Sequence, residues 1–370
     1  MIFLYIITLI QLLSFMNKCT LLIDCNWLTQ SRLPIFMDSF EMSNPEHVKL
    51  QAQNDLKDLM AKSINILLNR FDVIDNIVMV GDGGSWRKQL HVPESLNAIY
   101  KGNRETDSKV DWKYVWNSLN SLFDTAKELG VTVTQYNNVE GDDWIWYWSR
   151  KLNNEGSSCI IWSSDNDLKQ LVQKENNAFT AWYNDRNGLF LPDSLNDELD
   201  DIDFFMKLEY NSPILDNLKL KSKSTNYINP DDIIMQKIIC GDAGDNIKSV
   251  FRYTKNNRVY RVTEKIWEGI KSELNISDFN DFRNRTNYIV SSICNHSKFM
   301  QYNPNKEHIA EMIDYNIKLV WLNEVVIPET VIESMNQQEY KEFDINYIKS
   351  NYKALVGEDE VIKQIFEHEL

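Results

Sequence analysis

Short apolar runs alternate with longer helical stretches through the first half of the chain. "TLLIDCNWL" (residues 20–28), "NIVMVGDGG" (76–84), "GVTVTQYNNVEGDD" (130–143) and "SCIIWSSDNDLKQL" (158–171) each read as a strand that runs into polar residues. Residues 48–70, 112–129 and 142–152 between them carry helical spacing. Strands separated by helices predict an α/β fold, with a mainly parallel central sheet and helices on both faces. From about Asp231 the pattern turns mostly helical, and Asn229 with Pro230 supplies a cap and first turn for "DDIIMQKIIC". The expected organisation is a core over residues 16–190, an acidic linker or insertion over 191–228, and a mostly helical region over 229–370. The opening "MIFLYIITLIQLLSFM" is apolar, but it has no basic start and no A-x-A site and is short for a membrane span. Residues 1–15 are therefore read as an extension upstream of Met16 rather than as an anchor.

Composition narrows this picture. A chain of 370 residues can bury a substantial core, in two domains or in one large domain with a smaller one appended. Its formal net charge of -15 excludes a surface that is basic all over, so any nucleic-acid contact must be local. Part of the acidity lies in "PDSLNDELDDID" (192–203), which reads as a solvated loop. Cys19, Cys25, Cys159, Cys240 and Cys294 are odd in number and never spaced C-x-x-C. They are read as reduced, buried, cytosolic thiols with neither a disulfide framework nor a zinc site; Cys25 and Cys159 lie in strand-like runs.

The placement of the acids carries the chemistry. Asp24 ends the first predicted strand and Asp82 the second, Glu140 follows the third, and Asp165 and Asp167 follow the fourth. In an open parallel sheet all these ends share one edge. A further pair, Asp242 and Asp245 in "CGDAGDNI", follows the Asn229-capped helix. Asp142 and Asp143 in "VEGDDWIWYW" admit a bland reading, as acids favoured by a helix dipole ahead of a buried apolar body. Five such groups at equivalent places argue for more, because clustered carboxylates repel unless divalent cations neutralise them. Oxygen-only donors point to two Mg²⁺ ions, with Mn²⁺ able to substitute, and no histidine adjoins these acids to suggest zinc. Gln170 stands where a calcium loop needs glycine, and "GDGGSWRK" fits neither the P-loop nor the dinucleotide fingerprint.

Two hydrated divalent ions suit in-line phosphodiester hydrolysis, whose anionic substrate calls for nearby bases. Arg87, Lys88, Lys101 and Arg104 lie between the second and third strands, with Trp86 and Tyr100 able to stack on a nucleobase. Lys248, Arg252, Lys255, Arg258, Arg261 and Lys265 follow the last acids. That run is either a phosphate-tracking patch or a solvated charged face.

The elements "LLID", "GDGGSWRK", "YKGNR", "VEGDD", "SSDNDLKQL" and "GDAGDNI", in this order over about residues 20–274, resemble the 5′ nuclease family. That family includes flap endonucleases and the 5′ nuclease domain of bacterial DNA polymerase I, and the nearest likeness is to the T-even-phage type of ribonuclease H. The resemblance implies a first metal shell of Asp24, Asp82, Glu140 and Asp142. Asp165, Asp167, Asp242 and Asp245 would surround a second metal, with Asp143 at the boundary. Lys101 and Arg104, beside Tyr100, would act on the scissile phosphate from a flexible arch around residues 84–111. The family's glycine-rich duplex-binding hairpin is not matched, since no glycine lies between Asn246 and Glu268. This argues against a potassium site and leaves DNA binding by the C-terminal region to basic side chains.

The implied activity is that of a 5′-3′ exonuclease and flap endonuclease on DNA and on RNA primers annealed to DNA, removing Okazaki primers in phage replication. The implied partners are duplexes with 5′ ends or flaps, a single-stranded DNA-binding protein and a sliding clamp, with "KQIFEHEL" suggesting a clamp peptide. A monomer without membrane attachment is expected, in the cytoplasm of an infected bacterium. The alternatives are a PIN-like endoribonuclease acting on single strands and a catalytically silent, structure-specific DNA-binding protein.

Overall fold

A computed structural model describes residues 18–93, 96, 99–104, 107–175, 178–195 and 212–357. The expectations for residues 1–15, for most of the acidic run at 196–203 and for "KQIFEHEL" fall outside them. The chain divides into two compact units, Met1–Gly84 with Asp107–Ile228 and Glu333–Leu370, and Ser85–Thr106 with Asn229–Ile332.

The first unit is built on a sheet of β1 (Cys19–Asp24), β2 (Asn76–Val80), β3 (Thr132–Thr134), β4 (Ser158–Trp162), β5 (Gln173–Glu175), β6 (Ala178–Asn184), β7 (Gly188–Pro192) and β8 (Thr225–Ile228). The strand order is β3-β2-β1-β4-β6-β7-β8, with β5 paired to β6. Neighbours from β3 to β6 are parallel, and β7 runs antiparallel to β6. Apolar residues on both sides of β1 match a strand covered on both faces. Cys19, Leu21 and Ile23 join a core with Leu56, Met60 and Ile64 of the helix Glu46–Arg70 and with Val115 and Leu122 of the helix Trp112–Glu128. The helix Gly141–Asn154 packs along β1, β4 and β6.

The α/β reading holds, with differences of extent. The third strand is only three residues long, because "QYNN" leaves the sheet to form a loop with Asn138 at φ 62°. Cys25 opens a helix, Cys25–Arg32, rather than continuing the strand, since the Asp24 side chain caps that helix by accepting from the Trp27 N–H. All five cysteines are free, and Cys240 is only half-buried. Residues 212–228, expected in a linker, instead supply the helix Ser212–Lys221 and β8, where Leu189↔Thr225 and Leu191↔Tyr227 extend the sheet.

The second unit is mainly helical. Ile238, Trp267, Phe282, Ile289 and Ile313 of five helices share its core. The expected cap holds, with Asn229 Oδ1 accepting from the Asp231 N–H and Pro230 in the first turn. The basic run forms no helix but an exposed hairpin, β9 (Arg252–Lys255) and β10 (Arg258–Arg261). Asn256 and Asn257, at φ 50° and 60°, make the two-residue left-handed turn that suits a twisted hairpin. The chain then returns to the first unit, so residues 229–370 are not one region. The turn Tyr352–Val356 is held by Lys57, whose Nζ donates to Val356 O at 2.9 Å, Ser121 Oγ at 3.0 Å and Thr125 Oγ1 at 2.9 Å. Among the described residues no helix is long and apolar enough to cross a membrane.

Candidate functional site

Asp24 is the last residue of β1, Asp82 stands two residues beyond β2, and Asp165 lies three beyond β4. These are three adjacent parallel strands, so their C-terminal ends place the three acids at one edge of the first unit. Asp24 Oδ2 accepts from Ser163 Oγ at 2.8 Å, and the same Ser163 Oγ accepts from the Asp165 N–H at 3.0 Å. Burial pushes the Asp24 carboxyl up to about 7; repulsion from Asp82 and Asp165 adds to this, against the lowering by the Trp27 and Ser163 donors. The carboxylates are thus close enough to oppose each other's ionisation.

Glu140 caps the helix Gly141–Asn154, and Asp142 and Asp143 occupy its first turn. Asp82 Oδ1 accepts from the Gly141 N–H at 2.6 Å, joining the "GDGG" and "VEGDD" motifs directly. A side chain at Gly141 would place its Cβ 3.0 Å from that oxygen, so glycine permits the close approach. Gly83 is tighter still, because a Cβ there would lie 1.7 Å from the Tyr136 carbonyl oxygen. The two loops are zipped by Gly83 N–H to Val139 O at 2.9 Å and Asn138 N–H to Gly83 O at 2.8 Å. Asp82 is held further by its N–H on Asn26 Oδ1 and by Gln135 Nε2 on its carbonyl, both at 2.9 Å. Sequence reading missed Ser163, Asn26 and Gln135, whose only sequence signal is proximity to the acids.

Trp144 and Trp148 are fully buried and Trp146 nearly so. They pack the helix that carries Asp142 and Asp143, and their burial leaves neither Trp144 nor Trp146 a ring face for a nucleobase. Asp165 caps the turn Asn166–Leu171 by accepting from the Asp167 N–H at 2.9 Å. Among the described residues, no three His, Cys, Asp or Glu side chains are arranged to hold a metal ion as they stand. The donors nevertheless suit one by their chemistry: they are oxygens only, and Asp24 ionises against burial and two like charges. Mg²⁺ keeps several waters and takes few direct carboxylates, so wide spacing is compatible with it.

In the second unit Asp245 is buried and surrounded by the "YKGNR" residues. Arg104 Nη2 donates to its Oδ1 at 2.5 Å, Lys101 Nζ lies 3.9 Å from its Oδ2, and the Tyr100 hydroxyl donates to Oδ2 at 3.4 Å. The Lys101 N–H also donates to the Asp245 carbonyl at 2.9 Å. Asp242 accepts from Lys237 Nζ at 2.7 Å; burial raises its carboxyl, but Lys237 and the Gly244 and Asp245 N–H groups outweigh that and hold it below its ordinary value. Each of these acids is thus paired with bases of its own unit. Tyr100, Trp86 and Arg87 are buried, with the Arg87 guanidinium 4.4 Å over the Trp86 ring. This corrects the expectation that Trp86 and Tyr100 stack on a base and that Arg87 meets phosphate, while Lys88 and the hairpin bases are exposed.

Comparison with known proteins accords with this geometry. Residues 22–200 match the 5′-3′ exonuclease N-terminal resolvase-like domain. No curated protein matches the chain by sequence. Two solved structures share its fold: the D15 protein of T5 co-crystallised with metal ions, and the T5 5′-exonuclease with bound zinc. Each is 16% identical and covers 90% of this chain and 99% of its own, with TM-scores of 0.53 and 0.54. The resemblance read from the sequence is borne out over residues 22–200, the stretch that matches the N-terminal domain of the 5′-3′ exonucleases.

Proposed function

We propose that this protein hydrolyses phosphodiesters near the 5′ ends of DNA and of RNA primers annealed to DNA, with divalent ions held at the carboxylate edge of its sheet. The observation that carries the reading is the arrival of Asp24, Asp82 and Asp165 at the ends of three adjacent parallel strands. Glu140, Asp142, Asp143 and Asp167 complete the set of oxygen donors in the same unit. Both T5 structures contain metal ions, zinc in one of them. The oxygen-only donors here favour two Mg²⁺ ions, or Mn²⁺ in their place. Bound divalent ions would lower the pKa of a water and steady the charge on the transferred phosphate.

The remaining work falls to the protein's own groups. Ser163, Asn26 and the Gly141 N–H hold the acids in place. Lys101 and Arg104 position a phosphate, released to it from Asp245. Lys88, Lys248, Arg252, Lys255, Arg258 and Arg261 supply contacts to the substrate backbone. The biological setting is primer removal during phage lagging-strand synthesis, alongside a single-stranded DNA-binding protein and a clamp.

The test compares the wild type with Asp24→Asn on a 5′-labelled flap and an RNA-primed duplex, with Mg²⁺ or Mn²⁺. Wild-type cleavage near the 5′ end, lost in the variant and in chelator, is expected. Intact substrates with the wild type would defeat the reading, and preferential cutting of unstructured RNA would favour a single-strand endoribonuclease instead.

A further inference from the structure

Two of the four rungs of the β9–β10 hairpin set like charges opposite one another, Arg252 against Arg261 at the root and Lys255 against Arg258 at the tip. Like charges directly opposite on paired strands destabilise the pairing. All four side chains are exposed, and among the described residues none is held in an ion pair. The ribbon is nonetheless firmly built. Tyr253 faces Tyr260 on the adjacent rung, and both rings lie on Tyr302, with centroids 4.4 and 4.9 Å away. A stiff, anchored ribbon that repels itself is suited to an anion outside the chain.

Alternation decides the kind of anion. Arg252, Thr254, Val259 and Arg261 share one face of the ribbon; Tyr253, Lys255, Arg258 and Tyr260 share the other. The root pair and the tip pair therefore project from opposite faces, separated by three residue steps, about 10 Å along the strands. A single strand lying along one face would meet one pair only. The two walls of a groove meet both, and the major groove of a duplex, about 12 Å wide, admits a two-stranded ribbon. Thr254 and the exposed Val259, paired on the same face nearer the tip, leave an uncharged surface beside the root guanidiniums.

We propose that this hairpin lies in a groove of the double-stranded part of the substrate, with its root and tip pairs on phosphates of opposite strands. The inference rests on the nucleic-acid reading above, but not on hydrolysis. Two variants test it: R252Q with R261Q, and K255Q with R258Q. Binding is followed by fluorescence anisotropy on a blunt DNA duplex and on a single strand of equal length, in EDTA, across a salt series. Each variant is expected to lower the slope of log affinity against log salt on the duplex by about 1.8, two phosphates at about 0.9 each. Single-strand binding should stay at the wild-type level, and the thermal midpoint should be unchanged or higher as the repulsion is relieved. An unchanged duplex slope, an equal loss on both nucleic acids, or a lower midpoint would overturn the proposal. Should the wild type cut flaps while the variants bind duplex normally, the hairpin inference alone fails. Should the slopes shift while wild-type protein leaves flaps intact, the hydrolase reading alone fails.

Discussion

Asp24 shows how one side chain reports on the site. Its folded-state pKa of about 7 lies above the ordinary 3.8, chiefly because burial disfavours the charge and secondly because Asp82 and Asp165 repel it. The folded chain therefore holds this proton more tightly than the unfolded chain does. The stability gained is complete below about pH 3.8 and is lost as pH rises through about 7. Metal-free protein is accordingly expected to have a lower thermal midpoint at pH 8 than at pH 5.5. Asp24→Asn should flatten that dependence, stabilising the metal-free chain at pH 8 by roughly 2 kcal/mol while abolishing cleavage. A variant with the wild-type pH dependence would show that Asp24 is not under this stress. Asp24 was legible in sequence because it ends an apolar run, whereas Ser163 and Asn26 were not, because their partners are distant in the chain. Gly83 is a second single-residue case. In Gly83→Ala the new methyl would meet the Tyr136 carbonyl, and moving that loop should cost roughly 1–3 kcal/mol in urea unfolding. It should also slow cleavage, since the same loop holds Asp82 through Gln135.

At the scale of elements, the helix Gly141–Asn154 joins stability to chemistry. Its first turn presents Asp142 and Asp143, while Trp144 and Trp148 fill the space beneath. The ring of Trp148 meets Tyr147 edge-on at 5.2 Å, and its indole N–H donates to Thr134 Oγ1 at 3.3 Å, fastening the helix to β3. Trp148→Ala should lower the unfolding free energy by about 3–5 kcal/mol in urea titration. A wild-type midpoint would mean that these tryptophans do not fix the helix. The "VEGDDWIWYW" element was readable because its acids and its apolar body are contiguous. The β9–β10 hairpin was not read, although "RYTKNNRVYR" alternates about an Asn-Asn turn; the helical pattern on either side masked it. β6 and β7 were also not read, although Asn187 and Gly188 mark their turn.

At the scale of the whole molecule, the first unit is assembled from three separate lengths of chain, and its last length arrives after the second unit is complete. No local pattern announces such a return, because the contacts that define it join residues more than two hundred positions apart. They are specific ones. The Tyr340 hydroxyl bonds to Thr20 Oγ1 at 3.0 Å and accepts from Asn76 Nδ2 at 2.8 Å, tying this segment to β1 and β2. Asn65 Nδ2 donates to the carbonyls of Ile348 and Lys349, at 2.7 and 3.0 Å, and Lys353 Nζ meets Asp58 at 2.6 Å. Ile345, Ile348 and Leu355 enter the same core as Leu56 and Ile64. Residues 16–190, the extent expected of the nuclease core, therefore lack both β8 and this closing segment. Chains ending at residue 332 should keep the sequence motifs of the site yet unfold at lower urea concentration. In the full chain Tyr340→Phe should cost about 1 kcal/mol, one net buried hydrogen bond. Tryptophan fluorescence in urea distinguishes the outcomes, and a chain ending at residue 332 with the full-length midpoint would show that the first unit closes without its final segment.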